Sequence, residues 1–139
     1  MGVIVRPATP ADSDATIALW HSAGLTRPWN DPAADFALAV DGASSSVLLA
    51  TDGEALAGSV MVGFDGHRGW VYYLATAPVH RGQGVGRALM AAAEAWLKQL
   101  GSPKIQLMVR TDNLAAKGFY AAIGYEEQDV VTIGRRLDR

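Results

Sequence analysis

The chain has 139 residues, 50% of them hydrophobic and 19% charged, the make-up of one ordinary globular domain with no room for a second core. Twelve Lys and Arg against 14 Asp and Glu leave a net charge of −2, which argues against general nucleic-acid binding because that needs a clear positive excess. With no cysteine, the composition excludes disulfides, thiolate metal ligands and covalent acyl-cysteine intermediates. The longest unbroken apolar run, Ala88 to Ala93, is far short of the roughly 18 residues of a membrane span, so no membrane partner is expected. Met1 to Arg6 lacks a basic segment followed by an apolar one, and a cytoplasmic location is the expectation.

In chain order, Val3-Ile4-Val5 is a short β-branched strand that ends at Arg6-Pro7. Thr9 stands before Pro10 and three residues before Asp12, which predicts a capped helix carrying Ile17, Trp20 and Gly24 at helical spacing. Gly24 to Asn30 reads as a loop. Asp31-Pro32 starts a second helix by the same logic, with Phe36, Ala39 and Val40 on one face and Asp41-Gly42 as its stop. Val47 to Thr51, Ala57 to Phe64 and Trp70 to Thr76 are apolar runs joined by Asp52-Gly53 and Asp65-Gly66, which predicts an antiparallel meander.

The period then changes. Val85, Leu89, Ala92, Ala93, Trp96 and Leu100 recur at spacings of three and four and mark an amphipathic helix stopped by Gly101 and Pro103. Ile105 to Val109 reads as a strand, Ala115 to Ile123 as a helix stopped by Gly124, and Val130 to Ile133 as a final strand. The predicted order β-α-α-β-β-β-α-β-α-β defines an α/β protein on a mixed sheet, antiparallel in its first half and with one parallel βαβ crossover in its second.

The segment Arg81-Gly82-Gln83-Gly84-Val85-Gly86-Arg87 lies at a strand-to-helix junction. Alternating glycines let the backbone turn tightly and aim successive N–H groups at one point, the helix N-terminus adds partial positive charge, and two arginines flank it, so the construction suits a phosphate or diphosphate. The Gly-x-Gly-x-Gly spacing disfavours a dinucleotide fingerprint, and Arg87-Ala88 after Gly86 excludes a P-loop.

Arg81-x-x-Gly84-x-Gly86, after a strand that leads to Pro78, resembles motif A of the GNAT superfamily of N-acetyltransferases. Asn113-x-x-Ala116-x-x-x-Tyr120-x-x-x-Gly124-Tyr125 resembles the second half of that superfamily's signature, in the same order and spacing. The element order matches too, so the resemblance covers nearly the whole chain. More narrowly, Leu25 to Pro32, Gly63 to Gly69 and Tyr72-Tyr73-Leu74 are similar to the YpeA branch, a group of small bacterial members.

The resemblance implies a GNAT-type fold, one acetyl-CoA-binding domain over residues 1–139, and acetyl-CoA as cosubstrate. The backbone of Leu74, Ala75 and Thr76 would pair with the pantetheine arm like an added strand. The N–H groups of Arg81, Gly82, Gln83, Gly84, Val85, Gly86 and Arg87 would hold the pyrophosphate. Asn113 would contact the cofactor near its reacting end, and Tyr120 would sit close to the thioester sulfur as proton donor to the departing thiolate. Spacing independently puts Asn113, Ala116 or Lys117, and Tyr120 on one helix face.

The reaction so implied is direct transfer to a primary amine of a small-molecule or peptide acceptor in a ternary complex. An aliphatic amine with a pKa of about 10.4 must lose its proton to some group or to water. Many family members place a glutamate on strand four or five, but Trp70 to Thr76 contains none and Met108 stands at the usual strand-five position. Asp65, His67, Tyr72, Tyr73 or ordered water are left as bases, and the same gap leaves open a non-catalytic acyl-CoA-binding or sensing module.

By the family layout, Arg27, Trp29, Asn30, His67 and Tyr72 belong to the acceptor side, where Arg27 and Arg68 would favour an acceptor with a carboxylate. His21, His67 and His80 show no metal-ligand spacing, and no metal is expected. Apolar residues on edge strands permit a homodimer.

Overall fold

A computed structural model of the chain describes residues 2–138. It divides into two compact units, one running up to Met108 and one from Val109 onward.

The first unit holds a five-stranded sheet in the spatial order β1-β2-β3-β4-β5. Its strands are β1 (Ile4–Pro7), β2 (Ser45–Asp52), β3 (Ala55–Phe64), β4 (Gly69–Thr76) and β5 (Ile105–Gln106). The first three pairings are antiparallel and β4–β5 is parallel, as the hairpin turns and the crossover helix require. Pro7 is included in β1, opposite Leu48, because an edge strand tolerates a residue without an N–H.

Helices α1 (Ser13–Ser22) and α2 (Pro32–Asp41) cover one face of this sheet, where Trp20, Phe36, Val47, Leu49 and Ala75 form a buried cluster. Helix α3 (Val85–Gln99) covers the other. A Cβ built on Gly58 would lie 2.7 Å from Val85 Cγ1 and 2.9 Å from Leu89 Cδ1, and one on Gly69 would lie 2.5 Å from Leu97 Cδ1, so both positions require glycine for close helix–sheet approach. Both faces being covered explains why Val47 to Ala50 are buried without alternation. Among the described residues no helix is long and apolar enough to cross a membrane.

Three expectations are corrected by the structure. The helix expected after Thr9 starts at Ser13, preceded by a single 3-10 turn, Pro10–Asp12. That turn begins at Thr9, which forms a reciprocal capping box with Asp12, the Asp12 carboxylate accepting the Thr9 N–H at 2.8 Å. The strand expected over Ile105 to Val109 is limited to Ile105–Gln106, because its only ladder partners are Gly69 and Trp70. The final strand expected over Val130 to Ile133 is not formed, and Val130, Val131 and Ile133 are exposed. A β-branched run becomes a strand only where a neighbour pairs and packs with it, and sequence pattern does not supply the neighbour.

Asp12 also receives Arg6 through two bonds, Nη1 to Oδ2 at 2.8 Å and Nη2 to Oδ1 at 2.9 Å. The Arg6 hydrogen bonds, ahead of the Thr9 N–H, hold the Asp12 carboxyl well below the usual carboxylate range. Because the folded pKa is depressed, the stabilisation is complete above the unfolded pKa and is lost as pH falls through the folded one. Asp12→Asn is expected to cost about 1 kcal/mol at pH 7, discounted for Arg6 exposure, and to flatten the acid loss of stability that begins near pH 4. Urea unfolding of both proteins between pH 7 and pH 2 checks this; parallel curves would refute it.

Candidate active site

The loop between β4 and α3 has the geometry of an anion cradle. Gly82 and Gly84 have φ of +76° and +82°, the left-handed region that favours glycine, and a Cβ at either would meet no protein atom within 4 Å. The first α-helical bond of α3 runs from Ala88 N–H to Gly84 O at 3.0 Å. Upstream of it, the N–H groups of residues 82–87 make no hydrogen bond among the described residues, and the helix has no side-chain cap. Arg81 and Arg87 are exposed and pair with no carboxylate among those residues. Uncommitted donors at a helix N-terminus with two guanidinium groups beside them fit a diphosphate.

Entry to the loop is fixed from below. His80, on the short 3-10 turn Pro78–His80, is buried with Nε2 3.4 Å from Asp52 Oδ2 at the β2–β3 turn. Its Nδ1 is buried without a partner. The residue sits directly before Arg81, so the pair anchors the cradle to the sheet.

Among the described residues the ladder between β4 and β5 ends at Trp70, opposite Gln106. Opposite, the β3–β4 register slips between Ser59 and Met61, so Tyr73 and Leu74 together face Val60. Tyr73 takes φ +54°, a left-handed backbone in a non-glycine residue. This bulge reverses the strand's faces: Gly69 and Val71 point to α3, whereas Tyr73 and Ala75 join the cluster under α1 and α2. Tyr72 lies opposite Met61, which packs on that same cluster, so two successive tyrosines share one face.

The bulge is held by buried polar groups. Trp20 Nε1 donates to Ser59 Oγ at 2.9 Å, and Ser59 Oγ donates to Tyr73 O at 3.2 Å. Trp20 stacks on the Tyr73 ring at 3.9 Å and 8°. A peptide's carbonyl and its following N–H point in opposite directions, so fixing Tyr73 O toward β3 turns the Leu74 N–H to the edge away from β3. The Ala77 N–H donates to Ala57 O at 2.8 Å, which keeps odd residues facing β3 and turns Leu74 and Thr76 outward. Of the three residues expected to pair as an added strand, Leu74 and Thr76 thus present backbone groups, and Ala75 is a buried core side chain.

Of the residues expected on the acceptor side, Arg27, Trp29, Asn30 and His67 fall on two loops of this unit and Tyr72 on β4. Arg27 Nη1 donates to Gly24 O and to Thr26 O, both at 2.9 Å, and Arg68 Nη1 donates to His67 O at 3.1 Å, so each guanidinium is turned onto its own loop. Trp29 and Asn30 are exposed, Trp29 by 49%, which makes it no plug of the sheet. Asp65 Oδ1 accepts the N–H groups of His67 and Arg68 at 2.8 and 2.7 Å, and Oδ2 accepts Trp70 Nε1 at 3.3 Å. Those bonds, the Arg68 N–H first, lower its pKa and make it the cap of the hairpin turn, a poor base. His67 is exposed on that turn. Tyr72 is half-exposed, and burial with the Asp65 charge raises its pKa.

Tyr73 carries a feature that sequence reading missed: its hydroxyl donates to Asp35 Oδ2 on α2 at 2.8 Å. Burial, then this bond, pushes the phenol above its usual range and keeps it a neutral donor. Nothing in the sequence marks Asp35, Ser59 or Asp52 as partners of a site, since the bonds span 38, 14 and 28 positions.

In the second unit, α4 (Leu114–Ala122) starts at Asn113, whose Oδ1 accepts the Ala116 N–H at 3.1 Å. The cap leaves the Asn113 amide donors for other use. Tyr120 packs edge-on to Phe119 at 5.0 Å and tilted to Tyr125 at 5.8 Å. Burial pushes its pKa up to about 12.

Comparison with known proteins agrees with this geometry. A profile described as the Acetyltransferase (GNAT) family matches residues 13–125. The chain is 44% identical over 126 residues to Acetyltransferase ECA0875 of Pectobacterium atrosepticum, covering 91% of this chain and 89% of that one. It is 41% identical over 133 residues to Acetyltransferase YE1169 of Yersinia enterocolitica, covering 96% and 94%. Among solved structures, AAC(6')-Iy in complex with the bisubstrate analog CoA-S-monomethyl-acetylneamine superimposes with a TM-score of 0.85 at 16% identity, over 98% of this chain and 99% of that one. That likeness concerns the fold, a mixed α/β sheet with flanking helices. An anion cradle of this construction, matched over most of the chain by the family profile and by relatives named acetyltransferase, means that the protein belongs to the GNAT family of acetyltransferases.

Proposed function

We propose that this acetyltransferase moves the acetyl group of acetyl-CoA directly to a primary amine of a small-molecule or peptide acceptor, with residues 1–139 acting as a single domain in the cytoplasm, where acetyl-CoA is available. The observation that carries the reading is the run of uncommitted N–H groups over residues 82–87 at the start of α3, between Arg81 and Arg87. Leu74 and Thr76 supply the donors and acceptors for an amide-bearing arm along the edge of β4 beyond Trp70. The Leu74 N–H, aimed outward by Ser59, suits a carbonyl oxygen that gains negative charge during attack.

Acetyl-CoA supplies a thioester. The amine nitrogen forms a bond to the acetyl carbon and the carbon–sulfur bond breaks. The nitrogen's surplus proton passes to water, and Tyr120 protonates the departing thiolate before it is itself reprotonated from solvent. With its pKa at about 12, Tyr120 remains protonated throughout the neutral range and acts as a donor. The assignments of Tyr120 and Asn113 rest on the family motif. A non-catalytic acyl-CoA-binding module draws support from nothing beyond the missing strand glutamate. The placement in the YpeA-like branch rests on residues 25–32, 63–69 and 72–74.

Calorimetric titration with acetyl-CoA, CoA and NAD at one salt concentration tests the reading. Binding of the two CoA species with Kd on the order of micromolar, without NAD, is expected. No binding, or equal binding of NAD, rejects it. On an accepted amine, Tyr120→Phe is expected to lower kcat by roughly 10²-fold with acetyl-CoA affinity retained. Unchanged turnover removes Tyr120 as the acid.

A further inference from the structure

We propose that Asp35 captures the amino group of the acceptor as an ammonium ion, which passes one proton to water to become the neutral nucleophile before attack, so that the acceptors of this protein are cationic amines; the inference rests on the acetyl-transfer reading above. An arm added to the edge of β4 lies in the plane of the sheet, so the nucleophile must approach the acetyl carbon from one face or the other. The α3 face is filled, Val85 and Leu89 standing so close that Gly58 has no room for a Cβ. On the opposite face the bulge sets Tyr72 and Tyr73 side by side, next to the outward Leu74 N–H.

Two carboxylates border that face: Asp65, whose oxygens are taken by the His67, Arg68 and Trp70 N–H groups, and Asp35. Its Oδ2 accepts the Tyr73 hydroxyl at 2.8 Å, and among the described residues its Oδ1 makes no hydrogen bond and no basic side chain pairs with it. The guanidinium of Arg27, on the loop that leads into α2, is committed to two carbonyls of that loop and does not neutralise it. Stacking of Trp20 on Tyr73 fixes the hydroxyl, and through it the carboxylate, before any ligand arrives. An ammonium group has three donors and a compact charge, and a carboxylate oxygen with free lone pairs is its natural partner. Tyr73, held protonated, contributes no second charge.

The test uses Asp35→Asn, which keeps an oxygen to accept the Tyr73 hydroxyl and removes only the charge, with Asp35→Glu as the conservative variant. Affinity of the CoA-saturated protein for lysine amide and for neamine is measured by calorimetry, beside the affinity for acetyl-CoA. Asp35→Asn is expected to weaken amine binding ten- to hundredfold, as loss of a charge-assisted bond does, with acetyl-CoA affinity within about twofold. Asp35→Glu is expected to restore most of the amine affinity. Amine affinity unchanged in Asp35→Asn, or no amine binding to the wild-type CoA complex, overturns the role of Asp35 while leaving acetyl-CoA binding intact. Failure of the wild-type protein to bind acetyl-CoA overturns the transfer reading itself, and this inference with it.

Discussion

Replacing Trp20 with alanine is expected to destabilise the protein by about 3–5 kcal/mol, at the upper end of the range for core truncations. Trp20 is fully buried, stacks on Tyr73 and lies 6.2 Å from Phe36. Its removal leaves a large cavity beneath the sheet. It also removes the donor to Ser59 Oγ, a buried hydroxyl that orients the Tyr73 carbonyl. For a chain of this size the loss corresponds to a fall in Tm of roughly 10–20 °C. Thermal unfolding followed by circular dichroism checks the magnitude, and a fall of only a few degrees would show that the cluster tolerates collapse. Ser59→Ala separates the two effects: it keeps the ring stack, and its loss of about 1–3 kcal/mol reports the buried Trp20 N–H left without an acceptor.

Replacing Gly84 with valine is expected to weaken acetyl-CoA binding at least roughly 100-fold, because several charge-assisted bonds of about 1.5–3 kcal/mol each depend on the loop's path. Two causes act together. Gly84 stands at φ +82°, where a β-branched residue is strained by about 1–3 kcal/mol. Its missing Cβ faces no protein atom, so the new side chain projects into the space that the N–H groups surround. The control is Gly101→Val, at φ +85° just beyond the C-terminal end of α3 and likewise without a neighbour for its Cβ. Both variants should lose similar stability, and only Gly84→Val should lose the ligand. Equal affinity in the two variants would remove the cradle from the binding site.

The contrast between those two experiments follows the line between what was legible in the sequence and what was not. The glycine turn into α3 was legible because everything in it is consecutive: glycines, flanking arginines and the start of an amphipathic helix lie within residues 81–87. The meander was legible for the same reason, as Asp-Gly turns join each strand to its neighbour, and α3 was legible from its period. The bulge was not. Trp70 to Thr76 reads as a plain apolar strand, and only the slip opposite Val60 turns Tyr73 onto the α1 and α2 face.

The strand expected at Val130 to Ile133 failed for a related reason, since β-branched composition states a preference for a sheet without stating which edge will accept it. By itself, then, the sequence determined the element order as far as α4, the glycine loop and the family. The tertiary structure decided which backbone groups of β4 face outward and which carboxylate stands beside them. Those outcomes rest on the bonds Trp20–Ser59, 39 positions apart, and Asp35–Tyr73, 38 apart. Pairings at that separation are fixed by how two helices pack on a sheet, and no local pattern of residue types encodes them.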